Sequence, residues 1–174
     1  MFYNLLSISK TIIATSIFII ILTLLFSSFE VNGRSMTPTL NDGDRVLILK
    51  LNYINLPFLE KKLIITSPKK DSIIAFQKED GVELIKRVIA LPNDEVNIKN
   101  QTVYVNNSIQ GRGIGLTSPK NTFPVTLDDD CVFVLGDNRN LSNDSRAFGC
   151  VPIENIRGNL ALRLWPIRDI KLFR

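Results

Sequence analysis

Between Lys10 and Glu30 the chain carries no charge, and residues 11–29 are dominated by Ile, Leu and Phe. At about 1.5 Å per residue, a helix over that run reaches roughly 28 Å, close to the ~30 Å hydrocarbon core of a bilayer. A helix buried in a soluble protein would show a polar face within five turns, and this run has only scattered Thr and Ser. A transmembrane helix is expected. A cleavable leader fits less well: the run is longer than a usual apolar leader core, only Lys10 and the α-amine precede it, and no small-x-small site follows Phe29. Lys10 lies before the span while Glu30 and Arg34 cancel after it, which favours a cytoplasmic N-terminus. The expected organisation is an anchor over residues 1–29, crossing the inner (cell) membrane once, and an extracytoplasmic domain over residues 30–174.

The chain's 174 residues suit one domain plus this appendage. Its modest net charge of +4 serves solubility and some attraction to lipid head groups. The basic residues are scattered, without an aromatic-rich strand or helix-turn-helix pattern, so no nucleic-acid partner is expected. There is no histidine. That excludes Ser-His-Asp and Cys-His catalysis and every histidine-containing metal site. Two cysteines cannot supply a four-thiolate zinc site, and neither metal nor cofactor is expected. Cys131 and Cys150 read as two buried small side chains, with a single bridge as the alternative outside the cytoplasm.

Beyond the anchor the pattern becomes strand-like. Residues 45–50 (RVLILK), 72–76 (SIIAF), 82–90 (VELIKRVIA), 95–99, 102–105, 131–135 (CVFVL) and 160–165 read as short strands, separated by turn signals such as Asn41-Asp42-Gly43-Asp44 and Leu91-Pro92-Asn93-Asp94. Residues 95–105 look like a hairpin. The domain is therefore expected to be mostly β, a compact antiparallel sheet system folded over or partly closed. Residues 51–70 and 106–124 read as long loops. The first mixes aromatics with lysines and reads as a membrane-facing or a packed surface loop.

Three segments carry chemistry. In Gly33-Arg34-Ser35-Met36-Thr37-Pro38-Thr39-Leu40, a serine sits in a Gly- and Pro-bounded loop shortly after the anchor, where its hydroxyl and nearby N–H groups can be free. In residues 83–92, alternation puts Lys86 on one face with Val82, Leu84, Val88 and Ala90, while Glu83 and Arg87 share the other face and are placed to pair. Burial among apolar neighbours lowers a lysine's pKa, and a neutral amine beside a serine hydroxyl is a competent general base without histidine. The bland alternative is a lysine whose stem reaches the sheet edge. In residues 136–146, side chains that hold turns are dense, and Asp144 and Arg146 are spaced for a bracing ion pair if extended.

Taken together and in this order, the Ser-Met-x-Pro-Thr-Leu segment, a strand like Lys-Arg-Val-Ile-Gly-Leu-Pro-Gly-Asp and a Gly-Asp-Asn-Arg…Ser-x-Asp-Ser-Arg box closely resemble bacterial type I signal peptidases. The resemblance runs from the anchor to near the C-terminus. It implies a mostly β catalytic core and membrane-bound Ser-Lys endopeptidase activity. The implied partners are exported preproteins with signal peptides, cut after a small-x-small site, and the lipid bilayer; a monomer is expected. Ser35 matches the family's nucleophile and Lys86 its base; Ser142 falls where a serine orients that lysine, and Asp144 and Arg146 match a supporting salt bridge. Val31, Met36, Leu40 and Ile85 match positions lining the pockets for small side chains. At position 33, where some members have a hydroxyl residue that helps bind the oxyanion, this chain has Gly33. The donor is then expected from backbone N–H groups, chiefly that of Ser35 with Gly33 as a second candidate, or from water. Ala90 and Asn93 stand where the family has glycines, and Asn140 and Leu141 replace a frequent Asp and Asn. Competing readings are a dedicated relative that processes one pilin or conjugation protein, a soluble Ser-Lys autoprotease, and a catalytically inactive membrane-anchored binding module.

Overall fold

In the computed structural model, which describes residues 2–50, 53–54, 63–64 and 68–173, the charge-free run forms helix α1 (Phe2–Leu25). From Ile8 to Leu25 it is long and apolar enough to cross a membrane. The helix stops short of Phe29. Strand β1 (Phe26–Glu30) follows it directly and pairs antiparallel with β2 (Arg45–Leu49), from Phe26 opposite Leu49 to Glu30 opposite Arg45. Phe and Ser are indifferent helix formers, and the ladder with β2 satisfies their backbone groups instead.

The remaining strands are β3 (Tyr53–Ile54), β4 (Leu63–Ile64), β5 (Ile73–Gln77), β6 (Glu83–Ala90), β7 (Glu95–Lys99), β8 (Thr102–Val105), β9 (Ser108–Gln110), β10 (Val125–Thr126), β11 (Cys131–Leu135), β12 (Val151–Pro152), β13 (Ile156–Trp165) and β14 (Lys171–Leu172). All strand pairs are antiparallel. The main sheet has the order β1-β2-β13-β5-β6-β11-β12 with β14 beside β13, and a second sheet has the order β10-β7-β8-β9. Each strand expected from the sequence is present, β7 and β8 form the expected hairpin, and β13 extends four residues earlier, starting at Ile156 rather than residue 160. The expected loop 106–124 contains β9, and much of 51–70 lies outside the described residues.

Three apolar clusters hold these layers. One joins β6, β7, β8 and β11 through Ile89, Val96, Val103, Val105 and Phe133. The second lies under the β1–β2 connection and contains Val31, Met36, Leu40, Val46, Ile48, Ile73 and Leu160. The third packs Ile74, Phe76, Val88, Val132, Val134 and Ile156. From Lys86 onward β6 is buried, flanked by β5 and from Arg87 also by β11, so Lys86 and Arg87 cannot simply face water, whereas Glu83 at its start is exposed. Arg87 is buried, and its guanidinium Nε donates to Asp137 Oδ1 at 2.7 Å rather than meeting Glu83. Leu135 pairs with Arg87, so the residues just beyond β11 arrive beside that guanidinium.

The two cysteines are bonded, which corrects the reading of two separate thiols. Cys131 opens β11, Cys150 follows the short helix α2 (Ser145–Phe148), and their Cα atoms are 5.7 Å apart. The pairing of Cys131 with Pro152 in β12 brings the two chain positions together. The bond closes a loop with a sequence separation of 19 that contains the whole 136–146 box. Reduction, or Cys131→Ser with Cys150→Ser, is expected to lower unfolding stability by about 3 kcal/mol, read from urea denaturation with and without reductant.

Candidate active site

The connection between β1 and β2 is held at both ends. Val31 N–H donates to Asp44 O and Gly43 N–H to Val31 O, each at 2.8 Å, and Leu40 N–H donates to Met36 O at 2.9 Å. Met36 and Leu40 turn inward as plugs in the second cluster. These contacts fix Ser35 between them, half-buried, with its carbonyl accepting from Asn138 N–H at 2.9 Å. The box that follows β11 is thus tied to the backbone of the serine.

Lys86 comes from the middle of β6 and is only 3% exposed. Its ammonium nitrogen lies 2.8 Å from Ser35 Oγ and donates to Ile85 O at 3.0 Å. Burial pushes its pKa down to about 8, against a smaller opposing pull from the Asp144 carboxylate. Asp144 is engaged elsewhere. Its two oxygens accept from Arg146 Nε at 2.8 Å and Nη2 at 2.9 Å, and Oδ2 also accepts from Gly136 N–H at 3.1 Å. Both partners are almost wholly buried. The expected ion pair therefore exists, though not on an extended chain: Asp144 caps α2, and its Oδ1 accepts from Arg146 N–H. With its charge matched by Arg146, Asp144 exerts less hold on an ammonium at Lys86.

Two expected arrangements differ. Ser142 is buried close to the site, but its hydroxyl has no hydrogen-bond partner among the described residues, and the Lys86 amine points to Ser35 and Ile85 instead. Gly33 N–H is already engaged, donating to Asp42 Oδ1 at 2.6 Å, so it is no oxyanion donor here. Its φ of +93° explains why glycine stands at that position. Among the described residues, the Ser35 N–H has no partner and stays available.

A cleft of about 250 Å³ opens beside Ser35 and Lys86, walled by Phe29, Val31 and Met36 on one side and Ala75, Leu84 and Ile85 on the other, with Glu30, Asn32 and Glu83 at its rim. Three of the expected pocket residues, Val31, Met36 and Ile85, line it. Leu40 does not, because the turn from Met36 directs it into the core beneath. The sheet curls so that β1, at its edge, faces β6 across this cleft although three strands separate them in sheet order.

Sequence reasoning passed over three residues that position the site. Asp137 accepts from Arg87 and from Thr39 Oγ1, joining the box, the lysine strand and the serine loop. Arg139, buried and with its pKa lowered chiefly by that burial, donates to Gly136 O and Thr117 Oγ1. Gly136 has no room for a side chain: an added Cβ would lie 2.2 Å from Ser142 Oγ and 2.5 Å from the Ser35 carbonyl oxygen. A glycine directly after a fully buried strand was the available signal, but its meaning depends on which segments cross it.

A profile of the signal peptidase family, peptidase S26, matches residues 5–165. The chain belongs to that family. It is 35% identical to signal peptidase I of Bacillus caldolyticus over 83% of this chain and 82% of that protein. It is also 33% identical to a probable signal peptidase I-2 of Synechocystis sp. over 96% of this chain and 76% of that protein. A crystal structure of a signal peptidase I from Enterococcus faecalis V583 aligns at 29% identity over 56% of this chain and 99% of that one, with a TM-score of 0.47. For a peptidase of this family, Gly136→Ala is expected to push Ser35 away from Lys86. Peptide cleavage should fall by about 10²-fold or more in kcat/KM while circular dichroism still reports a β-rich fold.

Proposed function

We propose that this chain is a membrane-anchored endopeptidase that removes signal peptides from exported preproteins by Ser-Lys acyl transfer, after a small-x-small site. The observation that carries the reading is a buried amine with a depressed pKa, 2.8 Å from the hydroxyl of a loop serine, at the end of an apolar cleft. Neutral Lys86 takes the Ser35 proton as the hydroxyl oxygen attacks the substrate carbonyl. The Ser35 N–H stabilises the resulting oxyanion, an interaction of the kind worth about 3–4 kcal/mol. Lys86 then returns the proton to the leaving amine, and water activated by the same amine releases the acyl-enzyme.

Val31, Met36 and Ile85 form shallow walls that admit small side chains next to the cut. Asp144, Arg146 and Ser142 support the lysine, the first two by bracing the box and Ser142 by filling the space beside Gly136. Residues 1–29 hold the enzyme in the inner membrane with the N-terminus in the cytoplasm, and residues 30–174 act outside as a monomer resting against the lipid surface.

The test is cleavage of an Ala-x-Ala precursor by the detergent-solubilised chain, with product termini read by mass spectrometry. Ser35→Ala and Lys86→Ala are expected to lose activity by about 10³-fold or more while staying folded. Because the base must be neutral, kcat/KM is expected to rise about tenfold per pH unit below the Lys86 pKa of about 8 and to level off above it. A flat profile from pH 6 to about 9, or Lys86→Ala cutting as fast as wild type, would overturn the mechanism.

A further inference from the structure

The cleft's walls are apolar, but its rim carries the carboxylate of Glu83 at the start of β6. Glu30, at the end of β1, turns to the other face of its strand with Ser28 and Arg45, while Phe29 and Val31 face the cleft. Glu83 makes no ion pair among the described residues, since Arg87 has turned to Asp137. Among the described residues, Lys86 is the one cationic side chain lining the cleft, and it is buried behind Ser35.

The backbone beside Glu83 is also free on one edge. Strand β5 pairs with β6 from Glu83 to Arg87, whereas β11 reaches only Arg87, Val88 and Ala90. The edge from Glu83 to Lys86 on the β11 side therefore has no strand partner among the described residues. An open edge along a cleft accepts an extended segment through main-chain hydrogen bonds, leaving side chains to set preference.

Direction follows from the anchor. Strand β1 begins where α1 ends, and the cleft runs from Ser35 back toward Phe29 and so toward the bilayer. A substrate still held in the membrane by its apolar stretch presents the residues before the cut on that side. Ile85 and Glu83 point the same way along β6, about 6.6 Å apart at 3.3 Å per residue. If Ile85 faces the third residue before the cut, Glu83 faces the fifth, with the fourth as its diagonal neighbour.

Resting on the signal-peptidase reading above, we propose that Glu83 at the cleft rim selects substrates with Lys or Arg at the fourth or fifth residue before the cut and disfavours Asp or Glu there. Its carboxylate touches none of the reacting atoms. Its effect is on which chains enter productively.

The test uses the full chain in detergent and a set of Ala-x-Ala peptides with Lys, Ala or Glu placed in turn at the fourth and fifth positions before the cut. Wild type is expected to prefer Lys over Glu by about three- to tenfold in kcat/KM at low ionic strength, and the preference should shrink as salt is added. Glu83→Gln is expected to bring the ratio close to one, and Glu83→Lys to invert it. Each ratio is taken within one enzyme, so a partial loss of folded protein cancels. Equal rates for Lys and Glu peptides in wild type, or an unchanged preference in Glu83→Lys, would overturn the charge selection and leave the Ser-Lys reading standing. If wild type cuts none of the peptides, the proteolytic reading fails and the selection fails with it.

Discussion

Everything at the site depends on keeping one amine out of water. Among the described residues Lys86 has no carboxylate hydrogen-bonded to it, and its acceptors are a hydroxyl and a main-chain carbonyl. An ammonium in such surroundings is poorly solvated, which makes the neutral amine accessible near physiological pH. The rest of the architecture serves that condition. From Lys86 onward strand β6 is buried, the 31–44 connection lays Met36 and Ser35 over one side, and the box beyond β11 closes the other. Any change that let water reach the amine would return it toward the protonation state of a surface lysine.

The charged groups around it are arranged so that this condition survives. Buried ionic groups are tolerated when their charges and lone pairs are matched. Asp144 is matched by Arg146 and Asp137 by Arg87, through paired nitrogens and oxygens in each case. The Asp144–Arg146 pair braces the box locally, whereas the Asp137–Arg87 pair joins segments 50 residues apart and so also acts as a clamp. Thr39, Arg87 and Asp137 hold the serine loop, the lysine strand and the box in one register. The disulfide fastens the two ends of the box-bearing loop.

Much of this was legible in the sequence, for physical reasons that also mark where legibility ends. Strands β2, β5, β6, β7, β8 and β11 announce themselves by β-branched and apolar runs between turn residues, and the chemistry of Ser35 and Lys86 follows from residue types in an order that resembles a known family. Strand β1 was hidden because FSSFE continues an apolar run, and so short a stretch has no period that separates strand from helix. Alternation alone paired Arg87 with Glu83. The true partner, Asp137, becomes a neighbour only once β11 docks against β6, a non-local event. The same holds for the bond between Cys131 and Cys150 and for the inward turn of Leu40. Gly33 and Gly136 were visible as letters, but a positive φ at one and a crowded crossing at the other are properties of the folded backbone.

No linker separates the helix from the cleft. Strand β1, five residues long, runs straight from α1 into one wall of the site. At about 3.3 Å per residue, that strand spans only about 17 Å. Short sequences with small residues two apart are common, and a shallow pocket cannot by itself tell a signal peptide from the body of an exported protein. A cleft on so short a tether need not do so. It samples a thin layer of space next to the bilayer, and a sequence that has folded or moved beyond that layer is out of reach whatever its composition. Fidelity then comes from confinement, with the membrane deciding which bonds are ever offered to the serine.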